Sequence, residues 1–343
     1  MFTVSPISAP SSALPIPHLL LAFAACADAG WQATVKALPA AQTRHFAKLL
    51  QGMCVVHRDA ADALSMSPPH ERALARVHGL DRPDSDGLIP WAAWEHVQRT
   101  QHEAGEETRA RHWAYVTPCH WLMGREHATL SDPDALALSE ADSRAFMAAI
   151  QVYFDADGIQ LHYVAPQRWL AEGDIFNGLP TASLDRVLGR NVDPWLPSGN
   201  SGKTLRRLQN EMQMLLYTHP INDARSRQRQ LPVNSIWFSG TGNLPERGRR
   251  PAATPERQQL SAPRALAEAA LSQNWPAYAG AWAALDALQA KDWLARQSTG
   301  EVVRLTLCGE RRALTFESAP RNWLGRFKQL FKPKPLLGLL ETL

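Results

Sequence analysis

NEMQMLLYTHPINDAR (Asn210–Arg225) is followed, after a short polar gap, by PVNSIWFSGTGNLP (Pro232–Pro245). Between Gly202 and Thr218, the apolar Leu205, Leu208, Met212, Leu215 and Leu216 fall on one face at helical spacing, so this segment predicts a helix lying on a sheet. Val233 to Phe238 is β-branched and aromatic and predicts a buried strand. Gly240 and Gly242 are expected to end that strand in a glycine loop. Helix, polar turn, arginine, strand and glycines in this order point to a mixed α/β (α+β) fold.

Upstream, Ser67 is the expected N-cap of a helix that starts at Pro68 and Pro69 and stops at Gly79. Residues 89–98 continue as a helix with Trp91 and Trp94 three apart on one face, which reads as core. Strands are expected over 112–117, ending at Pro118, and over 128–130 and 160–164. Between the last two lies a helix over 139–154, with Ser139 and Asp142 as a capping pair. Downstream, a helix is expected over 276–296 and a hairpin over 302–307 and 312–316. A basic amphipathic helix is expected over 322–332, with Trp323, Leu324, Phe327, Leu330 and Phe331 on one side. The domain reading is therefore a flexible arm at 1–17, a mostly helical part at 18–108, an α/β part at 109–245, a linker or long loop at 246–264 and a C-terminal part at 265–343.

With 343 residues, 45% hydrophobic and 20% charged, the chain can bury a sizeable core in one large or two modest domains. A net charge of +3 without a long run of like charges argues against nucleic acid as a partner. Cys26, Cys54, Cys119 and Cys308 form no CxxC pair, so neither a zinc ribbon nor a secreted disulfide framework is indicated. The apolar stretch Leu19 to Cys26 has no charged region before it, because the first basic residue is Lys36. No transmembrane segment is expected, and the expected location is cytoplasmic.

GNSGKT (Gly199–Thr204) tempts a phosphate-loop reading, but that loop needs a glycine where Pro197 stands, so a plain helix start is favoured. Cys119, His120 and His127 carry metal-ligating atoms, yet neighbours on a strand point apart, and a structural loop is favoured. The ligand-binding candidates are Arg168, His219, Asn222, Arg225 and Asn234, with Ser239, Gly240, Thr241 and Gly242. Guanidinium groups and the amides of a glycine loop suit a phosphate or carboxylate. Against this, Asn222 and Asn234 would satisfy turn backbones, and the arginines would pair with Asp185 or Asp223.

The strings RWL (Arg168–Leu170), VLGRNVDPWLPSG (Val187–Gly199), NEMQMLLYTHPIN (Asn210–Asn222) and PVNSIWFSGTG (Pro232–Gly242) resemble the bacterial regulatory proteins of the RpfE type. More distantly, the region is similar to archaeal-type cofactor-independent phosphoglycerate mutases of the alkaline-phosphatase-like superfamily. His219, Pro220, Ile221, Asn222, Arg225, Asn234, Ile236, Trp237, Gly240 and Gly242 stand at the matching positions. The resemblance implies a phosphoglycerate-mutase-like scaffold with a central mixed sheet, and in those enzymes two divalent metals and a phosphorylated serine. This chain departs from that pattern: it has no histidine after His219 and no Asp-Gly pair before Asp86 and Gly87.

The expected function is accordingly a non-catalytic regulatory or ligand-sensing protein of the RpfE type, with no catalytic residue, metal or cofactor, whose partners are a small anionic metabolite and a protein. One alternative is a cofactor-independent phosphoglycerate mutase or other phosphoester enzyme, with Arg168 and Arg225 gripping the phosphate. Another is a protein- or membrane-binding scaffold acting through the C-terminal helix.

Overall fold

The structure is a computed structural model that describes residues 16–100, 111–244, 259–318 and 336–343. Most of the arm at 1–17, most of the linker at 246–264 and the basic helix at 322–332 lie outside the described residues. No helix among those described is long and apolar enough to cross a membrane.

Two larger sheets organise the chain. The first has the order β2-β11-β10-β1-β9, from Met53–Ala60, Arg312–Ser318, Arg304–Cys308, His18–Leu21 and Leu260–Ser261. β1 runs parallel to both β10 and β9, whereas β11 runs antiparallel to β10 and β2, so the sheet is mixed as expected. The N- and C-terminal flanks, far apart in sequence, thus share one sheet. Four consecutive buried residues in β1 explain why its sequence, HLLL, shows no alternation.

The second sheet is antiparallel throughout, in the order β6-β7-β3-β8 (Gln160–Ala165, Arg168–Glu172, Trp113–Cys119 and Ser235–Gly242). Its strands bury both faces in two different cores. Ala114 and Val116 join Trp169, Ala171, Ile236 and Phe238 under the helices Glu140–Asp155 and Gly199–Tyr217. Trp113, Tyr115 and Leu170 face the helix Trp91–Arg99 instead. Phe146, Ile150 and Phe154 from the first helix and Leu205, Leu208, Met212 and Leu216 from the second are fully buried. Each such side chain contributes about 1.5–3 kcal/mol of burial. A short hairpin of β4 (Trp121–Met123) and β5 (Ala128–Leu130) follows β3.

Several local expectations are met. Ser139 caps its helix by accepting from the Asp142 amide at 3.1 Å, and Gly79 ends its helix in the left-handed region at φ 66°. Others need correction. Pro68, not Ser67, caps the helix Pro69–His78, and the Ser67 hydroxyl instead accepts from the Gly87 amide at 2.8 Å. β3 does not stop at Pro118 but pairs through it, Pro118 lying opposite Ile236. The helix expected over 276–296 is Trp275–Leu285, a π turn over Asp286–Ala290, and Lys291–Ser298. That turn places Asp286 where its carboxylate accepts from the amides of His45 and Phe46, both at 2.9 Å.

Candidate functional site

Ser239 to Gly242 is not a free loop: it is the end of β8, still paired with β3. Between the pairs Tyr115–Ser239 and Trp113–Gly242, β8 holds one residue more than β3, which is a bulge. Gly240 provides it with φ 62°, and a β-carbon there would stand 2.9 Å from the Tyr115 ring and 3.1 Å from Trp91 Cβ. The glycine therefore lets two aromatic residues close on the strand.

The candidate ligand residues divide into two groups. Arg168, Ser239 and Gly240 line one cleft of about 440 Å³, together with His70, Glu71, Trp91, Trp94, Tyr115, Ser183, Asp185 and Arg264. His219, Asn222, Arg225 and Asn234 do not line it. Asn222 is buried and ties Leu216 and Val233 through their carbonyls at 2.7 Å each and the Val233 amide at 2.9 Å. Asn234 holds both backbone groups of Trp121, at 2.7 and 3.0 Å. His219 caps the helix Pro220–Arg227, its ring 4.8 Å from Phe146. Arg225 is buried, donating to the carbonyls of Leu231 and Leu136, with Asp142 at 3.8 Å. Thr241 is buried too, its hydroxyl 2.6 Å from the Leu179 carbonyl and 3.0 Å from Thr181. Gly242, at φ 136°, backs on Pro90.

The cleft lies where the helix Pro69–His78, resting on β10 and β11, meets the second sheet. A proline at the first helical position sets the helix entry, so His70 and Glu71 sit in the first turn. Ser183 caps the short helix Leu184–Val187, accepting from the Asp185 amide at 3.2 Å and donating to Glu71. Asp185 receives two bonds from Arg264, at 2.7 and 2.9 Å, and lies 3.0 Å from His70 Nε2. Burial alone would raise its carboxyl, but the bonds from His70 and Arg264 outweigh that and hold it well below the carboxylate range. For Glu71 burial wins over the lowering pull of His70 and Ser183, and its carboxyl is pushed up. Two neighbouring acids are thereby driven apart in acidity, an arrangement found at proton-handling sites and in structural ion-pair networks alike.

On the opposite wall, the Tyr115 hydroxyl donates to Glu95 at 2.8 Å, and burial followed by the Glu95 charge keeps that phenol protonated. Arg168 meets Glu95 through one contact at 3.3 Å, its guanidinium 5.4 Å from the centre of the Tyr115 ring. With 56% of its side chain open to solvent, it is the cation best placed to meet an incoming anion.

Sequence reasoning missed His70, Glu71, Ser183 and Arg264, and it assigned Trp91 and Trp94 to the core. Asp185 was considered only as an arginine partner, which is what it is for Arg264. No spacing rule links these residues, because four separate segments bring them together. Cys119, His120 and His127 assemble no site either: Cys119 is buried in β3, its thiol pushed up by burial, and His120 Nδ1 lies 2.8 Å from the Pro232 carbonyl.

The two-metal chemistry implied by the resemblance does not fit the donors among the described residues. Among the described residues, no three His, Cys, Asp or Glu side chains stand close enough to share a metal ion. The chain leaving β1 continues with Ala22, Phe23, Ala24 and Ala25, all buried and apolar.

No protein-family model matches the chain. A 127-residue segment is 24% identical to the 2,3-bisphosphoglycerate-independent phosphoglycerate mutase of Methanosarcina mazei, covering 36% of this chain and 32% of that relative. A 119-residue segment is 29% identical to the probable enzyme of the same name from Geobacter sulfurreducens, covering 34% of this chain and 29% of the relative. The matched segments thus span about a third of the curated relatives' length. Among solved structures, a cofactor-independent phosphoglycerate mutase from Thermoplasma acidophilum overlays with TM-score 0.36 at 13% identity, covering 94% of each chain. A Pyrococcus horikoshii protein overlays with TM-score 0.41 at 12% identity, covering 90% of this chain and 89% of that one. Overlays this loose leave the sequence segments as the ground for a distant relationship to cofactor-independent phosphoglycerate mutases.

Proposed function

We propose that this protein binds a small phosphorylated or carboxylate metabolite in the cleft between Arg168 and Arg264, and that it acts as a regulatory or ligand-sensing protein of the RpfE type. The observation that carries the reading is the meeting of Arg168, Ser239 and Gly240 with His70, Glu71, Asp185 and Arg264 around one cleft. Burial pushes the Glu71 carboxyl up, and Arg168 keeps guanidinium surface free for an oxyanion.

A second reading, a cofactor-independent phosphoglycerate mutase or other phosphoester enzyme with a rearranged site, is favoured by the names of the curated relatives. In it Arg168 grips the phosphate without Arg225, whose donors are taken by backbone carbonyls. One experiment separates the two. Purified protein is incubated with 3-phosphoglycerate and manganese or magnesium while melting temperature and 2-phosphoglycerate formation are both followed. A rise in melting temperature without isomerisation supports sensing; isomerisation abolished by chelator transfers the assignment to the enzyme.

A further inference from the structure

The cleft has two unlike halves. Glu71, Ser183, Asp185 and Arg264 make one side polar, whereas Trp91, Trp94 and Tyr115 make the other aromatic. Trp91 and Trp94 stand edge to face, their rings 6.1 Å apart, and His78 backs Trp94 at 4.7 Å. Both tryptophans are only partly buried, so this wall keeps open ring surface in the cleft.

A cleft of about 440 Å³ is also within the size range that encloses ligands of several rings.

Resting on the reading of the cleft as an anion site, we propose that its ligand is a nucleoside monophosphate. A planar base stacks on the Trp94 ring with the Trp91 ring, which stands at right angles to it, against its edge, and the phosphate reaches Arg168. Stacking is tolerant of base identity because every base has a π face, so the aromatic wall selects the class rather than one base.

The test is calorimetric titration of the full chain with AMP, ribose 5-phosphate and 3-phosphoglycerate, with melting temperature as a second readout. AMP is expected to bind at least tenfold more tightly than either ring-free phosphate. Trp94→Leu should erase that preference while leaving ribose 5-phosphate binding in place, and Trp94→Phe, which retains a ring and guards against a folding defect, should keep most of it. Ribose 5-phosphate or 3-phosphoglycerate binding as tightly as AMP, or a preference unchanged in Trp94→Leu, overturns the nucleotide assignment and leaves the anion site standing. If no phosphate binds, or if binding is indifferent to Arg168→Ala, the anion reading itself falls and the nucleotide assignment with it.

Discussion

Asp185 and Arg264 meet through two parallel hydrogen bonds, 2.7 and 2.9 Å long, that join residues 79 apart in the chain. Asp185 follows the second sheet's β7 and Arg264 follows β9 of the first, so the pair fastens the two halves together at the mouth of the cleft. The Asp185 side chain is 9% exposed and that of Arg264 47%, which makes this a half-buried pair. A fully buried pair costs about 3–5 kcal/mol to break, and exposed ones about 0–1.

Asp185→Asn should therefore destabilise the protein by about 1–3 kcal/mol at pH 7. Because the folded-state acidity of Asp185 is strengthened, its contribution is fully present above the unfolded carboxylate pKa of about 4 and is lost as pH falls below it. Urea denaturation from pH 3 to 7 should show wild type and variant converging at the acid end. A constant gap across that range would count against the assignment.

Glu71 carries the opposite sign. Its carboxyl is pushed up in the folded state, chiefly by burial, so its stabilising form is the neutral acid. That contribution is complete below the unfolded pKa and fades as pH rises through the folded one. Glu71→Gln should leave stability unchanged in acid and raise the melting temperature relative to wild type in alkali. A variant less stable than wild type at high pH would show that the site favours the ionised carboxylate and overturn the assignment.

Arg168 and Arg225 should separate function from stability. Arg225→Ala leaves the carbonyls of Leu136 and Leu231 without their donor and should cost about 2–4 kcal/mol, while the shift in melting temperature produced by phosphate ligands survives. Arg168→Ala removes one exposed contact, should change stability by less than about 0.5 kcal/mol and should abolish the ligand shift. The reverse pattern would return Arg225 to the ligand site.

Gly240→Ala is expected to destabilise by about 2 kcal/mol, from a left-handed backbone angle combined with the approach of Tyr115 and Trp91. It should also displace the Tyr115 ring against which Arg168 rests. Denaturant melts and ligand titration of the same variant check both halves of the claim.

Local chemistry was legible from the sequence. The apolar face of 202–218, the Ser139 cap, the Gly79 stop and the strand at 128–130 each depend on neighbours a few residues away, and each forms as its spacing requires. The hairpin at Arg304–Cys308 and Arg312–Ser318 belongs with them. Where partners are distant the reading failed. Arg225 carries a charge and sits in a family-like motif, which suggested a ligand, yet its donors are spent on carbonyls 6 and 89 residues away. Trp91 and Trp94 have the composition of a core but are only partly buried.

The amino-acid order by itself thus specified the elements, the mixed α/β class and the distant kinship, because periodicity, caps and turns act over a few residues. Only the folded chain decided which charges neutralise each other and which stay open. His70, Glu71, Ser183, Asp185, Arg168 and Arg264 come from segments spread over almost 200 positions, and the free energy of each depends on partners that nothing short of the tertiary contacts can assign.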